Sequence, residues 1–158
     1  MVDSLRTEIA THEAPVWKER ANFLIFADLS SSGMADRWEQ LWACQSSDDE
    51  FVLCCIPYFT YGLALGDTVR TQHLAGKKYV VADVVARTGR RALRLWLKDA
   101  TAEGKTRILE YVQTFAPLHE WSSNNLLVID VPEPEPTPEL LALLHDLAQM
   151  GIQSEWGD

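Results

Sequence analysis

Four histidines, three cysteines and one aspartate at a glycine corner are the residues whose types could do chemistry in this chain. His12, His73, His119 and His145 stand at no metal-ligand spacing with cysteine or with one another. His119-Glu120 is an adjacent pair in an extended segment. Neighbours in a strand point to opposite faces, so the two make a poor general acid/base couple. His145 reaches at most Gln149, one helical turn on. Cys44, Cys54 and Cys55 form no redox or zinc pattern and read as buried thiols. Asp67 follows Gly66 at a turn. A carboxylate there can sit in a catalytic cleft, but capping its own turn is the commoner use of Asp beside Gly. Gly62-Leu63-Ala64-Leu65-Gly66 has two glycines four apart and no Lys-Ser or Lys-Thr after them, so it is not a phosphate loop. No serine has a nucleophile-elbow context. The expectation is a protein that is not an enzyme and needs no cofactor and no metal.

Charge speaks to partners. The 158 residues hold 14 basic and 23 acidic side chains, a net charge of −9. Such a surface repels phosphate, which argues against nucleic acid and anionic lipid. The aromatic signature of an RNA-reading sheet is also missing. Positions 91–158 hold five basic and eleven acidic residues, so the acidity concentrates in the second half. Met1 to Ala10 lacks the basic and apolar regions of a signal peptide, and no apolar run approaches the length of a spanning helix. The expected location is the cytoplasm.

These residues must be positioned by two kinds of element. Residues 1–15 are polar and are expected to be a flexible segment. Residues 16–90 read as short strands separated by turns: Trp17 to Leu29, Arg37 to Gln45, Phe51 to Ile56, Thr68 to His73 and Tyr79 to Ala86. That spacing predicts a small curled β-sheet or barrel, with Gly66-Asp67 turning one corner. Residues 91–158 read as strand, helix, strand, strand, helix, strand. The strands are Ala92 to Leu97, His119 to Trp121, Leu126 to Val131 and Ile152 to Trp156. The first helix, Ala102 to Phe115, places Ile108, Val112 and Phe115 on one face. The second, Pro138 to Met150, opens with Thr137 as N-cap and stops at Gly151. The class is α+β, a barrel-like half followed by a ferredoxin-like βαββαβ half.

Several segments carry a family likeness: Trp38-Glu39-Gln40-Leu41-Trp42-Ala43, Ile56-Pro57-Tyr58-Phe59, Tyr61-Gly62-Leu63-Ala64-Leu65-Gly66-Asp67, and Val128-Ile129-Asp130-Val131-Pro132 with Gly151 and Glu155. Together they resemble an uncharacterised bacterial domain-of-unknown-function family, the four-two-six-five family, over residues 15–158. Pro117-Leu118-His119-Glu120 departs from the family's glycine before a glutamate. The resemblance implies a fold and no activity.

Two functions fit these observations. An acidic interaction protein, an immunity protein or inhibitor, would bind and neutralise a basic toxin or effector. Negative charge would steer the partner, and aromatic anchors would slow its release. The partner-binding residues expected are Tyr61, Trp121, Glu133, Glu135, Glu139 and Trp156, with Asp146, Glu155 and Asp158 as further acidic contacts. Alternatively, a regulatory module would hold a small molecule at the seam between the halves, where Arg94, Asp67 and Tyr61 would converge.

Overall fold

The computed structural model describes residues 8–158. It is a mixed α+β structure with two sheets and two helices. The strands are β1 (Glu8–Ala10), β2 (Phe23–Asp28), β3 (Arg37–Gln45), β4 (Glu50–Leu53), β5 (Thr68–Leu74), β6 (Lys77–Ala86), β7 (Arg91–Trp96), β8 (His119–Ser123), β9 (Leu126–Val131) and β10 (Gln153–Trp156); the helices are α1 (Ala102–Phe115) and α2 (Pro138–Gln149).

The first sheet has the order β1-β3-β2-β6-β5-β4, and a further β3–β4 pairing closes β4 back onto β3. Five strands thereby curl round a common interior, with β1 attached outside, parallel to β3. Alternation aims Ile25 and Ala27 of β2, Leu41 and Ala43 of β3, and Phe51 and Leu53 of β4 at that interior. They pack there with Cys55, Leu63 and Val69. Phe23 and Phe51 each meet Tyr79 edge-on and meet each other at a tilt, at centroid distances of 4.7–5.6 Å.

The second sheet, β10-β7-β9-β8, is antiparallel throughout. Every residue of β9 is buried, because α1 and α2 cover one face and the first sheet's loops cover the other. Leu93, Leu95, Leu127, Ile129 and Val131 meet Ile108, Tyr111, Leu140, Leu143 and Leu147 on the helix side. Ile56, Tyr58, Leu65, Ala92, Leu126 and Val128 fill the seam between the two sheets.

Some expectations change. The predicted strand from Trp17 begins only at Phe23, after a short turn of helix at Lys18–Arg20. The third strand ends at Leu53, and residues 54–67 form a folded connection instead. Phe115 does not join the buried face of α1; it is 49% exposed, and Tyr111 takes the interior place. Of the flexible segment expected over 1–15, residues 1–7 lie outside the described residues. Glu8–Ala10 are a strand, and His12 is buried.

Candidate functional site

The most chemically loaded spot is buried where the sheets meet. Glu39 has the same strand parity as Leu41 and Ala43, so its carboxylate turns inward at the end of β3. Glu120 does likewise from β8. Between them lies His12, with Nε2 2.7 Å from Glu39 Oε2 and Nδ1 2.8 Å from Glu120 Oε1. A neutral imidazole has one N–H and one lone pair. Two short contacts to carboxylate oxygens are matched by an imidazolium donating from both nitrogens. Burial by itself would lower the His12 pKa, but the hydrogen bonds and charges of Glu120 and Glu39 outweigh it and raise the value to about 9. Burial pushes Glu39 upward, and His12 with the Tyr58 and Phe59 amides overcomes this and holds it low.

The segment 56–60 wraps the same carboxylates. Tyr58 N donates to Glu39 Oε2 at 2.7 Å, and the amides of Phe59 and Thr60 donate to Oε1 at 3.0 Å. Thr60 Oγ1 adds a fourth donor at 2.8 Å. Ile56 N donates to Glu120 Oε2 at 2.6 Å, and the Tyr58 ring stacks on the imidazole at 3.8 Å. His12 and the two carboxylates are at most 1% exposed in their side chains. With both ring nitrogens taken, no lone pair of His12 faces a metal. The arrangement is a clasp that ties the N-terminal segment, β3, β8 and the 56–60 loop into one body.

The other groups singled out by sequence are also tied down. Asp67 Oδ2 accepts from Ala64 N at 2.9 Å and Oδ1 from Thr88 N at 3.0 Å, so this carboxylate caps two turns. Burial pushes the Cys54 thiol up to about 11 and raises Cys55 well above its ordinary value too, so neither is a ready thiolate. His119 Nδ1 donates to the Pro117 carbonyl at 2.9 Å. Of the seam trio, Arg94 and Tyr61 do meet, the guanidinium 4.6 Å from the ring centroid, but Asp67 is engaged elsewhere. Among the described residues no cluster of His, Cys, Asp and Glu is placed to hold a metal ion, and no helix is long and apolar enough to cross a membrane.

The six expected partner-binding residues do not form one patch. Tyr61 is exposed and donates to Glu155 of β10, and Trp156, also on β10, is half-buried under the Arg91 guanidinium. Trp121 is exposed on β8, at the opposite edge of the four-stranded sheet, three strand spacings or about 14 Å away. Asp146 is bound to Arg107 and Asp158 to Arg91. Glu133, Glu135 and Glu139 are exposed, and among the described residues they make no ion pair.

Two of these glutamates, Glu133 and Glu139, line a cleft of about 560 Å³ at one end of the helical layer. Its walls also include the aromatic rings of Tyr111 and Phe115, Leu118 and Pro132, and it reaches Arg90 and Asp130 at the end of β9. Burial raises the Asp130 carboxyl, against the opposing pull of Arg90. Arg90 donates to Asp130 Oδ2; Oδ1 has no hydrogen-bond partner among the described residues. Sequence reasoning missed Asp130 because it sits inside a continuous apolar strand. That interruption was the available signal.

Fold and sites together define a chain whose polar groups lock its interior, with an acid-lined cleft left open outside. The chain belongs to the family described as domain of unknown function DUF4265, which matches residues 39–155. It is also similar in fold to the crystal structure of a hypothetical protein from Neisseria gonorrhoeae, at 18% identity and a TM-score of 0.63, over 85% of this chain and 94% of that one. No curated protein matches the sequence.

Proposed function

We propose that this protein is a non-enzymatic acidic interaction protein, an immunity protein or inhibitor that binds and neutralises a basic toxin or effector in the cytoplasm. One observation carries the reading. Two exposed acidic side chains that make no ion pair among the described residues, Glu133 and Glu139, line a cleft with aromatic walls, and Glu135 follows two residues after Glu133. The groups best suited to catalysis, His12, Glu39 and Glu120, are sealed inside as a clasp. A ligand at the seam is disfavoured, because Ile56, Tyr58, Leu65 and Val128 already fill that space. We read the second half as ferredoxin-like, on its element order and its antiparallel order β10-β7-β9-β8.

Affinity capture from the native host tests the function, run in parallel with wild-type protein and a Glu133→Lys/Glu135→Lys/Glu139→Lys variant. The expected result is a basic protein enriched by the wild type and lost with the variant. Capture of no basic protein, or equal capture by both, overturns the reading.

A further inference from the structure

The cleft beside α2 has a chemical preference of its own. Its charged lining comprises Arg90, Asp130, Glu133 and Glu139, so it is negative by two charges when all four are ionised. Asp130 is the unusual member. Its side chain is 2% exposed, yet only one carboxylate oxygen is engaged, by Arg90. A buried carboxylate oxygen left without a donor costs free energy that a further N–H would recover. Phe115 stands half exposed at the same cleft, its ring 4.9 Å from that of Tyr111. An apolar ring face next to unpaired carboxylates favours a planar cation. Guanidinium stacks on aromatic rings and presents several donors at once, whereas ammonium is a compact, strongly hydrated point charge.

We propose that this cleft is the docking site for an arginine side chain of the protein partner, with its stem against Phe115 and Leu118 and its guanidinium between Glu133, Glu139 and the unpaired oxygen of Asp130. The proposal rests on the reading of the chain as a binder of a basic protein and names the contact at its centre. Arg90 stays on Asp130 Oδ2, so the incoming group takes a position the protein's own arginine does not fill.

The experiment is a titration of the full chain, followed by amide chemical shifts, with N-acetyl-arginine methylamide. The neutral isostere N-acetyl-citrulline methylamide and free arginine are titrated alongside. The arginine derivative is expected to shift the amides of residues 115–118 and 130–133, and citrulline to leave them in place. Glu133→Gln/Glu139→Gln, at two exposed positions that leave the core intact, should weaken the arginine derivative about fivefold, as the loss of two partly screened ion pairs implies. Asp130→Asn and Phe115→Ala should each weaken it as well. Equal binding of citrulline, shifts confined to another surface, or an affinity unchanged in the double glutamine variant overturns the assignment. Tighter binding of free arginine than of the blocked form overturns the protein-borne source. If the probe binds the cleft while host capture yields no basic protein, the guanidinium preference stands and the inhibitor reading falls. If a basic partner is captured but the probe does not bind, the cleft assignment alone falls.

Discussion

His12 is the residue on which most depends. Its folded pKa, about 9, lies above the ordinary 6.5, so the folded chain holds the proton more tightly than the unfolded chain does. The clasp therefore contributes its full stability below about pH 6.5 and loses it as the pH rises to about 9, a contribution of about 3 kcal/mol by linkage. Glu39, held low, acts at the other end: its contribution is present above the usual carboxyl range and fades as the pH falls. The melting temperature should thus decline from pH 6.5 to 9, and a flat profile across that window would show His12 to be neutral. His12→Gln should remove most of the slope. It should also destabilise by roughly 3–5 kcal/mol, since it leaves two buried carboxylates without their cation. Gly66 is the second decisive residue. Its φ is 83°, and a Cβ there would meet Thr88 Cγ2 at 3.1 Å and the Trp17 ring at 3.3 Å. Gly66→Val should cost about 1–3 kcal/mol in chemical denaturation, and an unchanged midpoint would mean that the loop re-forms around the side chain.

Among the elements, those with a repeating pattern were legible and those made by partners were not. α1, β3 and β9 run over the residues expected of them, because periodicity and turn residues are local properties. β1 was invisible: three residues become a strand only because β3 offers an edge. The strand expected from Phe51 to Ile56 stops at Leu53, because the amides of Ile56, Tyr58, Phe59 and Thr60 go to Glu120 and Glu39, far away in sequence. The clasp was hidden for the same reason. Glu39 and Glu120 look like ordinary charges in strands, and only the parity of Glu39 with Leu41 and Ala43 hinted that it faces inward. The caps were readable. Thr137 Oγ1 accepts from Leu140 N at 3.2 Å, as an N-cap threonine should. Thr137→Ala should cost about 1 kcal/mol, read as a lower urea midpoint at unchanged slope. A larger loss would mean that the residue also supports the cleft, whose wall it shares with Tyr111.

At the scale of the whole molecule, two sheets share one polar clasp and one apolar seam, so neither half buries its inner surface alone. Far-ultraviolet circular dichroism and tryptophan fluorescence should report a single coincident unfolding transition. Separate midpoints would show the halves to be independent. The outer surface follows a different logic. Many of the molecule's arginines are spent internally: Arg90 on Asp130, Arg91 on Asp158, Arg94 on the Thr60 carbonyl and Arg107 on Asp146. This leaves the net charge of −9 expressed through exposed carboxylates, with Glu133 and Glu139 at the cleft. A field of that kind acts at long range on encounter and at short range on residence. Association with a basic partner should therefore slow as salt rises towards physiological strength, where the screening length falls to about 8 Å. Glu133→Lys/Glu135→Lys should lower the association rate more than it raises dissociation. Phe115→Ala, which removes apolar surface from the cleft without changing charge, should act mainly on dissociation. Stopped-flow and surface-binding rates would separate the two. A salt-independent association rate, or both variants acting on the same step, would show that the acidic surface does not guide the partner in.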